Sequence, residues 1–128
     1  MQLIQTVVVK QILTEKLRQE MAEKYQAKIL QLNKECSQLQ FELKRLEKTK
    51  SMAPSALKGK FEIELSARRE KMKLIEFEID QLHILPLGSE LKEKEVQALV
   101  EINVGDAWDE RVEQPAIIIR DGIIKEIR

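Results

Sequence analysis

At 128 residues and 43% apolar content, the chain is expected to form one folded unit, or one unit carrying a long arm. Aromatic residues make up only 4%, which argues against a large conventional core, and 22 basic side chains balance 22 acidic ones. No run of about 18 uncharged apolar residues exists to span a membrane. Met1-Gln2-Leu3-Ile4-Gln5 lacks the basic start of a signal peptide, and a lone cysteine, Cys36, excludes an internal disulfide and suits a reducing cytoplasm.

Residues 3–13 are rich in β-branched side chains and read as a strand. Thr14 then offers a hydroxyl to cap a helix, and Glu15 sits where the positive end of the helix dipole favours a carboxylate. Along that helix Leu17, Met21, Tyr25 and Ile29 step by four, a drift that locally unwinds a supercoil. Ala22, Tyr25, Ile29, Leu32, Cys36, Leu39, Leu43 and Leu46 alternate steps of three and four, the seam of a coiled coil. Phe61, Leu65, Arg68, Met72, Ile75, Ile79 and Leu82 repeat the alternation on a second helix. When the first seam, from Leu43 back to Ala22, is laid against the second in reverse, the two position numbers of every layer add to 104. This predicts an antiparallel helical hairpin over 14–85, each helix roughly 50 Å long at about 1.5 Å per residue. Its turn is expected near 50–55, where Pro54 cannot continue the first helix and suits the start of the second. One layer sets small Cys36 against Arg68, whose stem can cross the seam while its head reaches water.

Pro86-Leu87-Gly88 should end the second helix. Val96, Ala98, Val100, Ile102 and Val104 alternate as a half-buried strand, and Val104-Gly105-Asp106 should turn the chain. Trp108 follows in an acidic loop with Asp109, Glu110 and Glu113. Residues 116–120 and 123–127 flank Asp121-Gly122, the dipeptide favoured in two-residue hairpins because both positions need positive φ. The expected fold class is α+β, with a long antiparallel coiled-coil hairpin inserted into a small antiparallel β domain made from 1–13 and 86–128. The β domain is expected to be an antiparallel sheet or a partly open barrel.

Charge is unevenly spread. Residues 44–60 hold Lys44, Arg45, Lys48, Lys50, Lys58 and Lys60 against Glu47, whereas 86–128 hold six basic and ten acidic side chains. A basic tip on a stiff arm can contact phosphates through counterion release. An acidic protein partner and simple solvation are the competing readings, and no aromatic residue lies between Arg45 and Lys60 to stack on bases. Outside the seams, Leu30 and Phe41 on the first helix, and Ile63, Leu74 and Phe77 on the second, form apolar lanes that suit self-association into a homo-oligomer.

No catalytic constellation emerges. His83 at a helix end reads as a packing or dipole residue. No Cys/His spacing suits a metal, no glycine-rich loop suits phosphate, and the acidic loop does not match a calcium-binding loop. The expectation is a non-enzymatic protein that needs no cofactor and takes no small-molecule substrate.

Three strings add a resemblance. Leu39-Gln40-Phe41-Glu42-Leu43-Lys44-Arg45-Leu46-Glu47-Lys48-Thr49-Lys50, Leu82-His83-Ile84-Leu85-Pro86-Leu87-Gly88-Ser89-Glu90-Leu91 continuing through Val96-Gln97-Ala98-Leu99-Val100, and the Asp121-Gly122 hairpin ending in Glu126-Ile127-Arg128 resemble the YlqD family of bacterial proteins. The resemblance spans essentially the whole chain. It brings no activity, cofactor or assigned site, so no residue role is carried over. It implies a cytoplasmic protein whose genes lie near those for ribosome and tRNA maturation, which favours RNA among the acidic partners. The expected function is a non-catalytic interaction through the basic tip. The alternative is a structural or chaperone-like scaffold that binds protein through the outer apolar lanes.

Overall fold

The computed structural model describes residues 1–49, 54–108 and 115–128. In chain order these form β1 (Gln2–Ile12), α1 (Glu15–Thr49), α2 (Pro54–Ile84), β2 (Glu90–Glu101), β3 (Ala116–Arg120) and β4 (Ile123–Ile127). The class is α+β. Two compact units result: Met1–Arg18 with Leu85–Arg128, and Gln19–Ile84.

In the first unit, four strands lie in the order β2-β1-β3-β4. β1 pairs antiparallel with β2 from Gln2↔Glu101 to Ile12↔Glu90, and β3 pairs antiparallel with β4. β3 runs parallel to β1, however, from Val8↔Ala116 to Gln11↔Ile119. The sheet is therefore mixed, which corrects the expected antiparallel domain. The reason is topological. β2 runs opposite to β1, and the chain reverses again between β2 and β3 to enter on the other side of β1, so β3 runs the same way as β1.

β2 begins at Glu90, earlier than the apolar alternation from Val96 suggests, and it stops before Ile102 and Val104. Its first half, Lys92-Glu93-Lys94-Glu95, is exposed and carries no apolar pattern. As an outer strand, β2 draws its ladder bonds from β1 alone, and charges there discourage pairing with a further strand. The register slips between Val9↔Lys94 and Lys10↔Lys92, leaving Glu93 as an extra residue in a bulge. On the opposite edge it slips between Ile118↔Glu126 and Ile119↔Ile124, leaving Lys125 extra. Both edges thus carry a bulge centred on a charged residue.

The core of this unit is Val7, Val8, Val9, Leu13, Ala116 and Ile118, with Leu13 and Ile118 each only 1% exposed. Where the helical segment leaves and returns, the β1–β2 ladder is extended by Leu13 N–H to Ser89 O (2.8 Å) and Gly88 N–H to Leu13 O (2.8 Å). Gly88 sits at φ +90°, where side chains are strained. Thr14 Oγ1 accepts from Leu17 N–H (3.1 Å), capping α1 as the sequence predicts, and donates to Asp121 Oδ1 (2.7 Å). One hydroxyl thereby joins the start of α1 to the β3–β4 turn, where Asp121 and Gly122 both have positive φ (47° and 80°). Arg18 donates from Nη2 to Leu85 O and from Nη1 to Glu15 Oε1 (3.3 Å).

In the second unit, burial follows the predicted seams. Ala22, Tyr25, Ile29, Leu32, Cys36, Leu39, Leu43 and Leu46 on α1 are all buried or half-buried, as are Phe61, Leu65, Arg68, Met72, Ile75, Ile79 and Leu82 on α2. Arg68 Nε donates to Glu35 Oε2 (3.1 Å), joining the two helices. The helices rise about 52 and 46 Å at 1.5 Å per residue over their 35 and 31 residues. Residues 50–53, where the turn is expected, lie outside the described residues, and Pro54 opens α2.

Candidate interaction surfaces

The basic residues fall on two helix ends that adjoin the 50–53 connection. Lys44, Arg45 and Lys48 occupy the last turns of α1, and Lys58 and Lys60 the first turns of α2. All five are exposed, and none forms an ion pair with another described residue. Lys50, the sixth, lies outside the described residues. Backbone electrostatics act differently at the two ends. Lys48 lies in the last turn of α1, where the helix dipole favours a cation, whereas α2 has no acidic residue in its first turn. The positive end of the α2 dipole is therefore left without a side-chain counter-charge and adds to Lys58 and Lys60.

The five lane residues are also exposed: Leu30, Phe41, Ile63, Leu74 and Phe77 lie between 58% and 73% accessible. A shallow groove runs along α2 past Gly59, Ile63, Ser66, Ala67 and Glu70. Another lies between the helices, with Lys28 and Leu32 on one wall and Lys71, Leu74 and Ile75 on the other. Tyr25 is partly desolvated beside the Glu78 carboxylate, and the two effects, burial first, raise its phenol above the usual value.

The sheet unit holds a groove of its own. Leu3, Ile4, Val100, Ile102 and Trp108 line it, with the directly paired Ile4 and Leu99 largely exposed beside it. Within the acidic loop, Asp106 Oδ2 accepts from Asn103 N–H (2.7 Å), so this carboxylate closes a local turn at Gly105. Asp109, Glu110 and Glu113 lie outside the described residues. His83 is exposed in the last turn of α2, a dipole position and not a packed one. Among the described residues no helix is long and apolar enough to cross a membrane.

Sequence reasoning missed three features. Leu57 is one of the most buried helical side chains (4% exposed), and it stands one residue off the seam, whose alternation continues from Phe61 to Lys58. Arg18 gave no signal, because its bond to Leu85 O depends on where the chain re-enters the sheet unit. Glu90 and Arg128 could not be matched from sequence either. Arg128 grips Glu90 through both terminal nitrogens, Nη1 to Oε2 at 2.8 Å, and touches Glu126 (3.4 Å), while Lys10 lies 3.9 Å from Glu90. These bonds connect the outer strands β2 and β4. The Arg128 hydrogen bond, then the charges of Arg128 and Lys10, hold the Glu90 carboxyl below its ordinary range against a smaller opposing desolvation.

The sequence model of the YlqD protein family matches residues 1–128. The chain belongs to the YlqD family. A curated relative, "Uncharacterized protein YlqD" of Bacillus subtilis (strain 168), is 43% identical over 128 residues, covering 100% of this chain and 98% of the relative. A crystal structure of a protein of unknown function from Synechococcus sp. WH 8102 superposes with a TM-score of 0.84 at 18% identity, covering 100% of this chain and 96% of that one. At that identity the likeness concerns the fold, which this YlqD-family chain shares along its whole length.

Proposed function

We propose that α1 and α2 pair as an antiparallel coiled coil whose turn end is a basic contact for an acidic partner, RNA first, in a non-catalytic cytoplasmic role that uses no cofactor. The coiled-coil reading is supported by reduced exposure at every seam position and by the Glu35–Arg68 bond, which falls one register step from the Cys36–Arg68 layer. The observation that carries the RNA reading is the set of exposed side chains Lys44, Arg45, Lys48, Lys58 and Lys60, free of ion pairs with described residues, on both sides of the connection. Such a cluster binds phosphates electrostatically, and without an aromatic platform the binding is indifferent to base sequence.

Fluorescence anisotropy with a labelled single-stranded RNA tests this. Five phosphate contacts give a slope of log K against log salt of about −3 to −4. Reversing Lys44, Lys48 and Lys58 to Glu abolishes binding at moderate salt and leaves the melting temperature nearly unchanged. Binding that survives the reversal, or that ignores salt, refutes the tip as the contact.

The scaffold reading is favoured by a different observation, the exposure of Leu30, Phe41, Ile63, Leu74 and Phe77. Protein capture through those faces would persist as salt rises, since apolar burial is not screened.

A further inference from the structure

We infer that the outer face of α2 docks against the same face of a second copy of this chain, the two α2 helices running antiparallel about a twofold axis. At about 100° per residue, Gly59, Ile63, Ala67, Glu70, Leu74 and Phe77 fall within an arc of about 80°. This arc lies opposite the buried stripe through Leu65, Ile79 and Leu82. Ile63, Leu74 and Phe77 are more than half exposed there, although α2 spends its other face on burial.

The face is self-complementary in shape. Its first half holds a shallow groove lined by Gly59, Ile63, Ser66 and Ala67, and its second half presents Leu74 and Phe77. Space above Gly59 is open, since a Cβ built there meets no atom within 4 Å. Antiparallel alignment centred between Arg68 and Arg69 seats the second copy's Phe77 over Gly59 and its Leu74 beside Ile63. The overlap, residues 59–78, is about five turns long.

The flanking charges select the same arrangement. In this register Glu62 meets the second copy's Lys73, Glu64 meets its Lys71, and Lys60 meets its Glu78, each twice by symmetry. Near the axis, Glu70 falls within the arc and meets the second copy's Ala67, while exposed Arg69 lies about 120° around the helix from the centre of the arc. A parallel pairing would instead set Lys71 beside Lys73 and Glu78 beside Asp80, like against like, and would place Gly59 on Gly59 with the groove unfilled. The α1 lane offers no comparable match, since α1 contains no glycine to receive a projecting ring. Binding at the tip and pairing through α2 are separate: either can fail without the other.

Sedimentation equilibrium of the full chain across micromolar concentrations is the test. Wild type should approach twice its 14.9 kDa mass, and Leu74→Glu should stay monomeric. Gly59→Leu should also lose the dimer by filling the groove, while its helix content and melting point hold or rise, because a mid-helix glycine is replaced by a better helix former. Glu62→Lys and Lys73→Glu should each weaken association roughly tenfold, and the double variant should recover most of it. A monomeric wild type, or a dimer indifferent to Leu74→Glu and Gly59→Leu, overturns the proposal. A double variant no better than either single one overturns the antiparallel register.

Discussion

The two units keep apolar side chains from water by different means. In the sheet unit, burial is concentrated: Val7, Val8 and Val9 on one strand, Ala116 and Ile118 on its parallel neighbour, and Leu13 at the strand's end. In the helical unit the buried side chains Cys36, Leu57, Leu65, Ile79 and Leu82 are strung along two helices, while Leu30, Phe41, Ile63, Leu74 and Phe77 stay exposed. The sheet also guards its open sides, with a charged bulge at Glu93 on one edge and at Lys125 on the other. No such protection covers the apolar outer face of α2. The sheet unit has bare apolar surface of its own, since Ile4, Leu99, Trp108 and, on β4, Ile123, Ile124 and Ile127 are each more than half exposed, so the units differ in how burial is distributed and in how edges are guarded.

Core truncation tests this contrast most strongly. Ile118→Ala should cost about 2–5 kcal/mol in denaturant unfolding, because a side chain with almost no exposure leaves a cavity. Leu74→Ala, read on dilute and therefore monomeric protein, should change stability by less than about 0.5 kcal/mol. Comparable costs at the two sites would erase the distinction. Next in size is Thr14→Ala, which removes both the cap on Leu17 N–H and the bond to Asp121. A loss of about 1 kcal/mol is expected by thermal or chemical melting. Arg68→Leu should move stability by no more than about 1 kcal/mol, since the Glu35 pair it breaks is partly exposed and an apolar side chain suits the seam beside Cys36. The smallest effect concerns pH. Glu90 has its carboxyl lowered by Arg128, so its contribution is present above the ordinary carboxylate pKa and is lost as pH falls through the lowered folded value. A carboxyl titration followed by NMR should show Glu90 protonating below its neighbours, and Arg128→Gln should return it toward the ordinary range.

Local chemistry made much of this legible. The hydroxyl of Thr14, the start of α2 at Pro54 and the Asp121-Gly122 pair each depend on a few residues, and each stands where the sequence placed it. The seam stripe was legible because one helical period repeats over many turns. What escaped was non-local or lacked apolar contrast. The charged half of β2 has no alternation because Lys92, Glu93, Lys94 and Glu95 are all exposed, so neither face is buried there. The parallel β1–β3 pairing and the Glu90–Arg128 grip depend on which distant segments become neighbours, which no local pattern encodes. The basic cluster could be read as charge from composition alone, but its freedom from ion pairs with described residues required coordinates.

The place of β1 in the sheet bears on how the chain matures. β1 is made first yet is one of the two inner strands, flanked by β2 and β3, whose residues follow the whole helical segment. During synthesis at about 5–20 residues per second, Val7, Val8 and Val9 therefore wait roughly 5 to 20 seconds for the partner at Ala116 to be made. Until the β2 partners Lys94, Glu95 and Val96 are made, a short, strongly β-prone and uncharged run has neither neighbour, and from then until Ala116 it has one. Late closure of the sheet is thus written into the order of the strands.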